Sequence, residues 1–326
     1  MSMSNDFRVT LLGTGTPIPR PDRFGPSTLV EAGNQKLLVD AGRGATIRLT
    51  QLGIPIGSLD ALLLTHYHFD HTCGVPDVWL TGWLESHFGT RTTPFRVIGP
   101  TGAATLMQGL QQAYALDIAI RIADEKLPLS GIDVQVSEYD HDGVVYDVDG
   151  LKVTAFEVDH GDAIKPCYGY RFDYDGRAAV LSGDTRFNEN VIKHAHGVDL
   201  LVHEVAAASP ELMKRAYIQR IIAHHTVPQA AGVVFSRTRP KLAAYTHLVY
   251  LGKDSKDETV APIDLNMLEA QTRETYDGPL VLGEDLMTFD LGETVRVTRW
   301  PRLLSASSRR PASPRMTARD KLDAES

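Results

Sequence analysis

Residues 61–71 read Ala61-Leu62-Leu63-Leu64-Thr65-His66-Tyr67-His68-Phe69-Asp70-His71, an apolar run that breaks off into six positions holding four metal-ligand side chains. A short apolar run ending abruptly in polar residues reads as a buried strand that delivers its C-terminal end to a loop. A divalent metal needs imidazoles and carboxylates converging at about 2.0–2.2 Å on one point. A tight loop at a strand end can aim His66, His68, Asp70 and His71 into one cleft, whereas scattered histidines cannot. A His-rich polar surface turn is the plain alternative, and four ligand types in six positions count against it. The stretch is therefore read as binding metal and using it for chemistry.

Outward from this stretch, strands and helices alternate from about residue 7 to 291 with no long linker and no short-period repeat. Segments 7–12, 27–31, 36–39 and 95–98 read as strands. Helices are expected at 42–52, where Ile47, Leu49 and Leu52 recur at helical spacing, and at 101–114. Segment 74–88 puts Val75, Val78, Trp79, Trp83 and Leu84 on one helical stripe, so its tryptophans are read as core. Between 132 and 183 no helix is expected. The runs 132–136, 151–158 and 168–181 are β-rich and separated by Asp-Gly turns at 142–143, 149–150 and 175–176. Helices at 188–195, 210–223 and 227–236 and strands at 199–205 and 241–246 follow. This α/β (α+β) order predicts two sheets packed face to face with helices outside. One domain is expected over 1–304, and the Ser-, Pro-, Arg- and Ala-rich segment 305–326 is expected to be a disordered tail.

The 326 residues are 43% hydrophobic and 23% charged, as in a soluble globular protein. No apolar stretch reaches about 20 residues, so no membrane span is expected. The N-terminus shows no basic segment followed by an apolar one, so no secretory signal is expected. Cys73 and Cys167 are the only cysteines, which points to reduced thiols in cytoplasm rather than a disulfide framework. Cys73 is set aside as a ligand because histidine and carboxylate alternatives abound. The net charge is −8, and the residues from Arg302 onward hold six Lys/Arg against three acids, which leaves −11 on the rest. Nucleic-acid affinity comes largely from cations that neutralise phosphates. A long RNA or DNA is therefore not expected as the substrate.

Further ligands for the 66–71 cluster would have to arrive from other strand ends. His160 follows the run 154–159, Asp184 follows Ala179-Val180-Leu181-Ser182-Gly183, and His247 follows 242–246. Each is a ligand type at the C-terminal end of an apolar strand, where open α/β sheets put their sites. His141, His194 and His196 fall on plausible surface turns, so one such histidine alone would mean little. Three sharing a context with the cluster mean more.

In chain order, Leu12-Gly13-Thr14-Gly15-Thr16-Pro17, Leu38-Val39-Asp40-Ala41-Gly42, the 66–71 loop and His160 with Gly169-Tyr170-Arg171 form a pattern. Ser182-Gly183-Asp184-Thr185, His203-Glu204, His224-His225-Thr226 and Thr246-His247 complete it. The set resembles the metallo-β-lactamase superfamily, and within it the ribonuclease Z-like branch, over about residues 8–291. The resemblance implies an αββα four-layer sandwich with a dinuclear site, usually zinc (two Zn2+ per subunit), with manganese or iron as alternatives. Carried over by position, it implies that His66, His68 and His160 hold one metal. Asp70, His71 and His247 would hold the other, with Asp184 between them and a metal-bridging hydroxide as nucleophile. Asp70 could also orient that water or accept its proton, and Asp40 would fix a ligand histidine's tautomer. The branch also uses a histidine, oriented by a glutamate, to assist the leaving group. Glu204 matches the glutamate. Counting back from Thr226 and Gln229-Ala230-Ala231 favours His224, spacing to His247 favours His225, and His224 is preferred. The alternative is that His203, Glu204 and one of that pair only make buried hydrogen bonds.

Two departures bear on the substrate. Transfer-RNA-processing members are expected to carry a flexible basic arm between the Gly-Tyr-Arg and Ser-Gly-Asp-Thr strands. Here 171–180 is a tight hairpin with no room for one. Leu248-Val249-Tyr250-Leu251 also replaces the family's Ser- and Arg-containing continuation after His247. The leading expectation is a dinuclear zinc hydrolase acting on a small molecule, with a phosphodiester first. Trp79, Trp83, Phe88 or Tyr170 are expected to wall a compact, partly apolar cleft. Aryl sulfates, esters, lactones and aryl halides stay open as substrates. The alternatives are a transfer-RNA 3′-processing endoribonuclease (ribonuclease Z) and a non-catalytic metal-binding scaffold. Dimerisation is a family expectation.

Overall fold

The computed structural model describes residues 7–252 and 265–301; the expected tail lies outside the described residues. Strands β1 (Phe7–Gly13), β2 (Ser27–Ala32), β3 (Gln35–Val39), β4 (Ala61–Leu63), β5 (Phe95–Pro100), β6 (Val134–Tyr139), β14 (Met287–Leu291) and β15 (Val295–Thr298) form one sheet. Its spatial order is β15-β14-β1-β2-β3-β4-β5-β6. Strands β7 (Gly143–Val148), β8 (Leu151–Glu157), β9 (Tyr168–Tyr174), β10 (Arg177–Leu181), β11 (Leu200–Ala208), β12 (Leu242–Leu251) and β13 (Leu280–Leu282) form the second, in the order β13-β12-β11-β10-β9-β8-β7.

Local chemistry explains the pairing. Asp149-Gly150 and Asp175-Gly176 all have positive φ, the backbone that two-residue hairpin turns demand. These turns close the antiparallel pairs β7–β8 and β9–β10. The segment β3 to β6 is parallel. Leu62 and Leu63 of β4 are buried on both faces, which is why that strand reads as an unbroken apolar run.

The inner faces of the two sheets share one core, in which Phe7, Val9, Leu11 and Leu63 meet Tyr170, Phe172, Val202 and Ala244. Outside the first sheet lie α1 (Ala45–Gln51), the one-turn α2 (Phe69–Thr72), α3 (Val75–Trp83), α4 (Ala103–Ala113), α5 (Ala115–Asp124) and α6 (Leu129–Ile132). Trp79 and Trp83 are fully buried under this layer. Their indole N–H groups donate to the carbonyls of Ile132 and Pro128, at 3.0 and 2.8 Å. Outside the second sheet lie α7 (Glu189–Ala195), α8 (Ala216–Ala223), α9 (Pro228–Thr238) and α10 (Leu265–Arg273). The architecture is the four-layer αββα sandwich. No helix among the described residues is long and apolar enough to cross a membrane.

Four local expectations change. The helix expected over 74–88 stops at Trp83, with Leu84 already extended. The helix expected from 210 begins only at Ala216, after a short 3-10 turn at Leu212–Lys214. The region after 114 holds α5, a helix without a counterpart in the sequence reading. β12 does not end at 246 but runs on to Leu251. It passes His247 through a bulge: Glu204 pairs with Thr246 and Val205 with Leu248, leaving His247 as the extra residue at φ 41°. A bulge bends its strand and re-aims a side chain, and here that side chain is a candidate ligand.

Candidate metal centre and active site

The site collects the loops that follow β4, β8 and β10 and the middles of β11 and β12. His68 is the extended N-cap of α2, so the turn starting at Phe69 directs Asp70 and His71 inward, where both are buried, while Phe69 stays exposed. The loop is tied down by Ala41, whose N–H donates to the His71 carbonyl and whose carbonyl accepts from Gly74 N–H, both at 2.8 Å. Gly183 (φ 63°) turns the chain out of β10 ahead of Asp184, and a Cβ there would lie 2.5 Å from the Tyr168 carbonyl oxygen.

Hydrogen bonds assign the imidazole tautomers. Asp40 accepts from Thr65 N–H at 2.9 Å and Thr65 Oγ1 at 2.8 Å, and from His71 Nδ1 at 2.7 Å. Thr65 Oγ1, having donated to Asp40, accepts from His66 Nδ1 at 3.0 Å. The His224 carbonyl accepts from His160 Nδ1 at 2.8 Å. His66, His71 and His160 thus each present a bare Nε2 to the cleft.

These lone pairs face other acceptors. His68 Nδ1 is 3.0 Å from His66 Nε2 and 3.3 Å from His160 Nε2. Asp184 Oδ2 lies 3.2 Å from His247 Nε2, 3.3 Å from His71 Nε2 and 3.7 Å from His160 Nε2. Asp70 Oδ2 lies 3.4 Å from His247 Nε2 and 3.8 Å from His71 Nε2. His71 Nε2 and His247 Nδ1 are buried without a hydrogen-bond partner. Converging lone pairs and carboxylates in a buried site are costly unless a cation sits among them. The donor set, imidazole nitrogen and carboxylate oxygen, suits a divalent transition metal. The groups His66/His68/His160 and Asp70/His71/His247 each bring their atoms within 4.8 Å of one another, as does His66/His71/Asp184.

For His66 and His160 titration behaviour points the same way. Burial, then the neighbouring His71, pushes His66 well below the usual imidazole range, and burial takes His160 down to about 4. Both rings are neutral and ready to coordinate. Burial also opposes charge on His71, but Asp184 and Asp40 outweigh it and hold its proton affinity well above normal. Burial alone would raise the carboxyl of Asp184, and the facing His247 and His71 instead hold it well below the carboxylate range.

Behind this cluster Glu204 is fully buried on β11. It accepts from Thr226 N–H at 2.7 Å and from His225 Nδ1 at 3.1 Å. Burial disfavours a charged His225, yet the charge and hydrogen bond of Glu204 raise its proton affinity above the usual value. The histidine bonded to Glu204 is His225, not the expected His224. Successive helical residues turn by about 100°, and at the end of α8 that rotation sends His225 to Glu204. His224 instead turns its ring toward Gly161. The structure therefore brings together His66, His68, Asp70, His71, His160, Asp184, His247, Glu204 and His225, with Asp40 and the unforeseen Thr65 behind His71. Thr65 stood directly before the cluster in the sequence, which is the signal that could have found it. His203 points away, donating Nδ1–H to the Glu204 carbonyl at 2.7 Å beside Phe235. Cys73 is exposed at the end of α2.

A cavity of ≈ 310 Å³ opens over these groups. Its lining includes Ile18, Ile221, Leu248, Val249 and Leu251, with Arg20 and Tyr250 beside them. The expected aromatic wall is corrected: Trp79, Trp83 and Tyr170 are core residues committed to packing and hydrogen bonds, and neither they nor Phe88 line the cleft.

Residues 35–248 match the model of the beta-lactamase superfamily domain. The chain is 38% identical over 244 residues to Ribonuclease Z of Mycobacterium marinum, covering 74% of this chain and 86% of that protein. It is 34% identical over 281 residues to Ribonuclease Z of Mycobacterium bovis, covering 86% and 96%. Among solved structures, the short form of human tRNase Z superposes with a TM-score of 0.63 at 21% identity, covering 86% of this chain and 98% of that one. The metallo-β-lactamase fold protein YhfI of Bacillus subtilis gives 0.66 at 18%, covering 86% and 98%.

The expectation of a small-molecule substrate in preference to a long nucleic acid is overturned by the relatives named Ribonuclease Z. Its two physical grounds were weak. Net charge averages over the whole surface and says nothing of a local cationic edge. The missing arm does not discriminate either, since 281 aligned residues already cover 96% of the M. bovis protein, leaving no room there for a long insertion. The chain belongs to the metallo-β-lactamase superfamily, in its ribonuclease Z-like branch, and is a metal-dependent hydrolase.

Proposed function

We propose that this chain is a transfer-RNA 3′-processing endoribonuclease that hydrolyses one phosphodiester bond in a precursor transcript. The observation that carries the reading is the buried Glu204–His225 pair beside two groups of ligand side chains, in a chain that covers 96% of a Ribonuclease Z. His66, His68 and His160 would hold one cation and Asp70, His71 and His247 the second, with Asp184 reaching both. Zinc fits this nitrogen and oxygen set best. Two such ions would supply an activated water and neutralise charge on the phosphate oxygens.

The chain's own residues supply the rest. Asp40, backed by Thr65, keeps the proton of His71 on Nδ1 and its lone pair toward the cleft. The His224 carbonyl does the same for His160. Glu204 holds His225 with Nδ1–H toward itself, leaving Nε2 to carry a proton to the ribose oxygen that departs as the P–O bond breaks. Such a positioned acid contributes roughly 10²–10⁴-fold in rate. The apolar walls exclude bulk water from the cleft, which strengthens each charge interaction inside it. A cytoplasmic setting fits this reading and the two free thiols. The folded unit is proposed to be one domain reaching residue 304.

The test is incubation of the zinc-loaded chain with a precursor transfer RNA bearing a 3′ trailer. One endonucleolytic cut that releases the trailer is expected. Turnover of bis(p-nitrophenyl) phosphate with the precursor left intact would overturn the reading.

A further inference from the structure

The cleft and its surroundings carry two features that the hydrolytic chemistry does not use. The first is the outward face of α8. This helix is anchored by Ile218 and Ile222, which join Leu212, Ala206 and Val249 in a small core of their own. Beside that anchored face, Ile221 and His224 line the cavity over the candidate metal centre. Tyr217 precedes Ile221 by four positions and Arg220 by three, so all three share one side of the helix. Tyr217 is 49% exposed and Arg220 is exposed. The stripe thus runs from Ile221 in the cavity wall one turn back along α8 to the exposed Tyr217 and Arg220. The surrounding segment 209–226 holds three Lys/Arg against one acid, in a chain of net charge −8.

The second feature lies in the lining of the cavity itself. Arg20 places its guanidinium 5.0 Å from the centre of the Tyr250 ring. Asp22 holds it there through two hydrogen bonds of 3.0 Å. Among the described residues Arg20 is the only Lys or Arg lining the cavity, and Tyr250 lines it too. Both features therefore carry the same pair of chemistries, an aromatic face and a guanidinium. Aromatic faces accept any base by stacking and guanidinium groups neutralise the phosphates between them, the combination that grips single-stranded nucleic acid.

We propose that Tyr217 and Arg220 on α8, with Arg20 and Tyr250 in the cavity lining, form a clamp for the single-stranded nucleotides flanking the bond that is cut. The clamp rests on the ribonuclease reading of the same cleft and gives it a way to hold unpaired RNA without a protruding arm. These are positioning residues. They grip the strand and leave the reacting phosphate to the residues of the candidate metal centre.

The test is binding, so that it does not depend on cleavage. The full chain carrying His225→Ala, loaded with zinc, is titrated against a fluorescein-labelled single-stranded oligoribonucleotide of about eight residues, read by anisotropy over a salt series. Tyr217→Ala and Tyr250→Ala are each expected to weaken binding roughly tenfold, and Tyr217→Phe to restore it. Arg20→Ala and Arg220→Ala should each flatten the slope of log affinity against log salt by roughly 0.7. Arg237→Ala, at the far end of α9, should change neither. Equal binding by all four clamp variants, or a loss as large in Arg237→Ala, would overturn the clamp. If binding depends on these residues but precursor transfer RNA is never cut, the ribonuclease reading fails and the clamp stands. If the precursor is cut and binding ignores them, the clamp alone fails.

Discussion

The two halves of the candidate centre are built in different ways. The half from the first sheet is local: His66, His68, Asp70 and His71 sit in six consecutive positions, held by the single turn of α2 and by Asp40 and Thr65 behind it. The half from the second sheet is assembled at long range. His160 follows β8, Asp184 follows β10, Glu204 lies within β11, His247 occupies a bulge in β12 and His225 follows α8. One half is thus set by short-range backbone geometry and the other by strand register. A one-residue slip in β12 would turn His247 away from the cleft.

Breaking the junction of the halves should have the largest effect. Asp184 faces His71 of the local half and His160 and His247 of the assembled half. Asp184→Ala is expected to lower bound zinc below two equivalents and bring cleavage down to the level of the metal-free chain, as read by metal analysis and single-turnover assays. Retention of both equivalents would show that the halves hold metal independently.

The assembled half alone is sharpened by the neighbouring histidines. His225→Ala should lower kcat by roughly 10²–10⁴-fold without loss of zinc. His224→Ala keeps the carbonyl that holds His160, and should stay within about threefold of the parent, far below the effect of a positioned acid. The reverse ranking would return the role to His224.

The local half is probed through its support. Asp40→Ala removes the acceptor that fixes the His71 tautomer, and zinc affinity should fall about 10–100-fold in a chelator competition. Smallest of all, Thr65→Val removes one buried hydrogen bond to Asp40 and should cost about 0.5–1.5 kcal/mol in denaturant unfolding.

The same contrast explains what the sequence made legible. The local half could be read directly because its ligands are contiguous and stand at the end of an apolar strand. Asp184 was legible through the glycine before it, and the Asp-Gly hairpins through their required positive φ. The choice between His224 and His225 was not, because spacing fixes the end of a helix without fixing its rotation. The bulge at His247 was hidden because 248–251 is as apolar as the strand before it. Helix α5 was missed for a related reason. Leu116, Ile118, Ile120 and Ile122 alternate with a period of two, yet Ile118 and Ile122 pack on the first sheet's outer core while Leu116 and Ile120 remain exposed. Arg121 then bonds to Asp117 and Glu125, one turn to either side. The Arg20–Tyr250 pair joins residues 230 positions apart and left no local trace. The substrate was misjudged on a global property, net charge, where the relevant feature is the local rim of one cleft.

The two halves are proposed to hold two metal ions jointly. Anomalous diffraction from crystals of the zinc-loaded chain, collected on both sides of the zinc edge, tests it most directly. Two peaks are expected in this cleft, one enclosed by His66, His68 and His160, the other by Asp70, His71 and His247, with Asp184 touching both. A single peak held by the 66–71 loop alone, or none in the cleft, would contradict it.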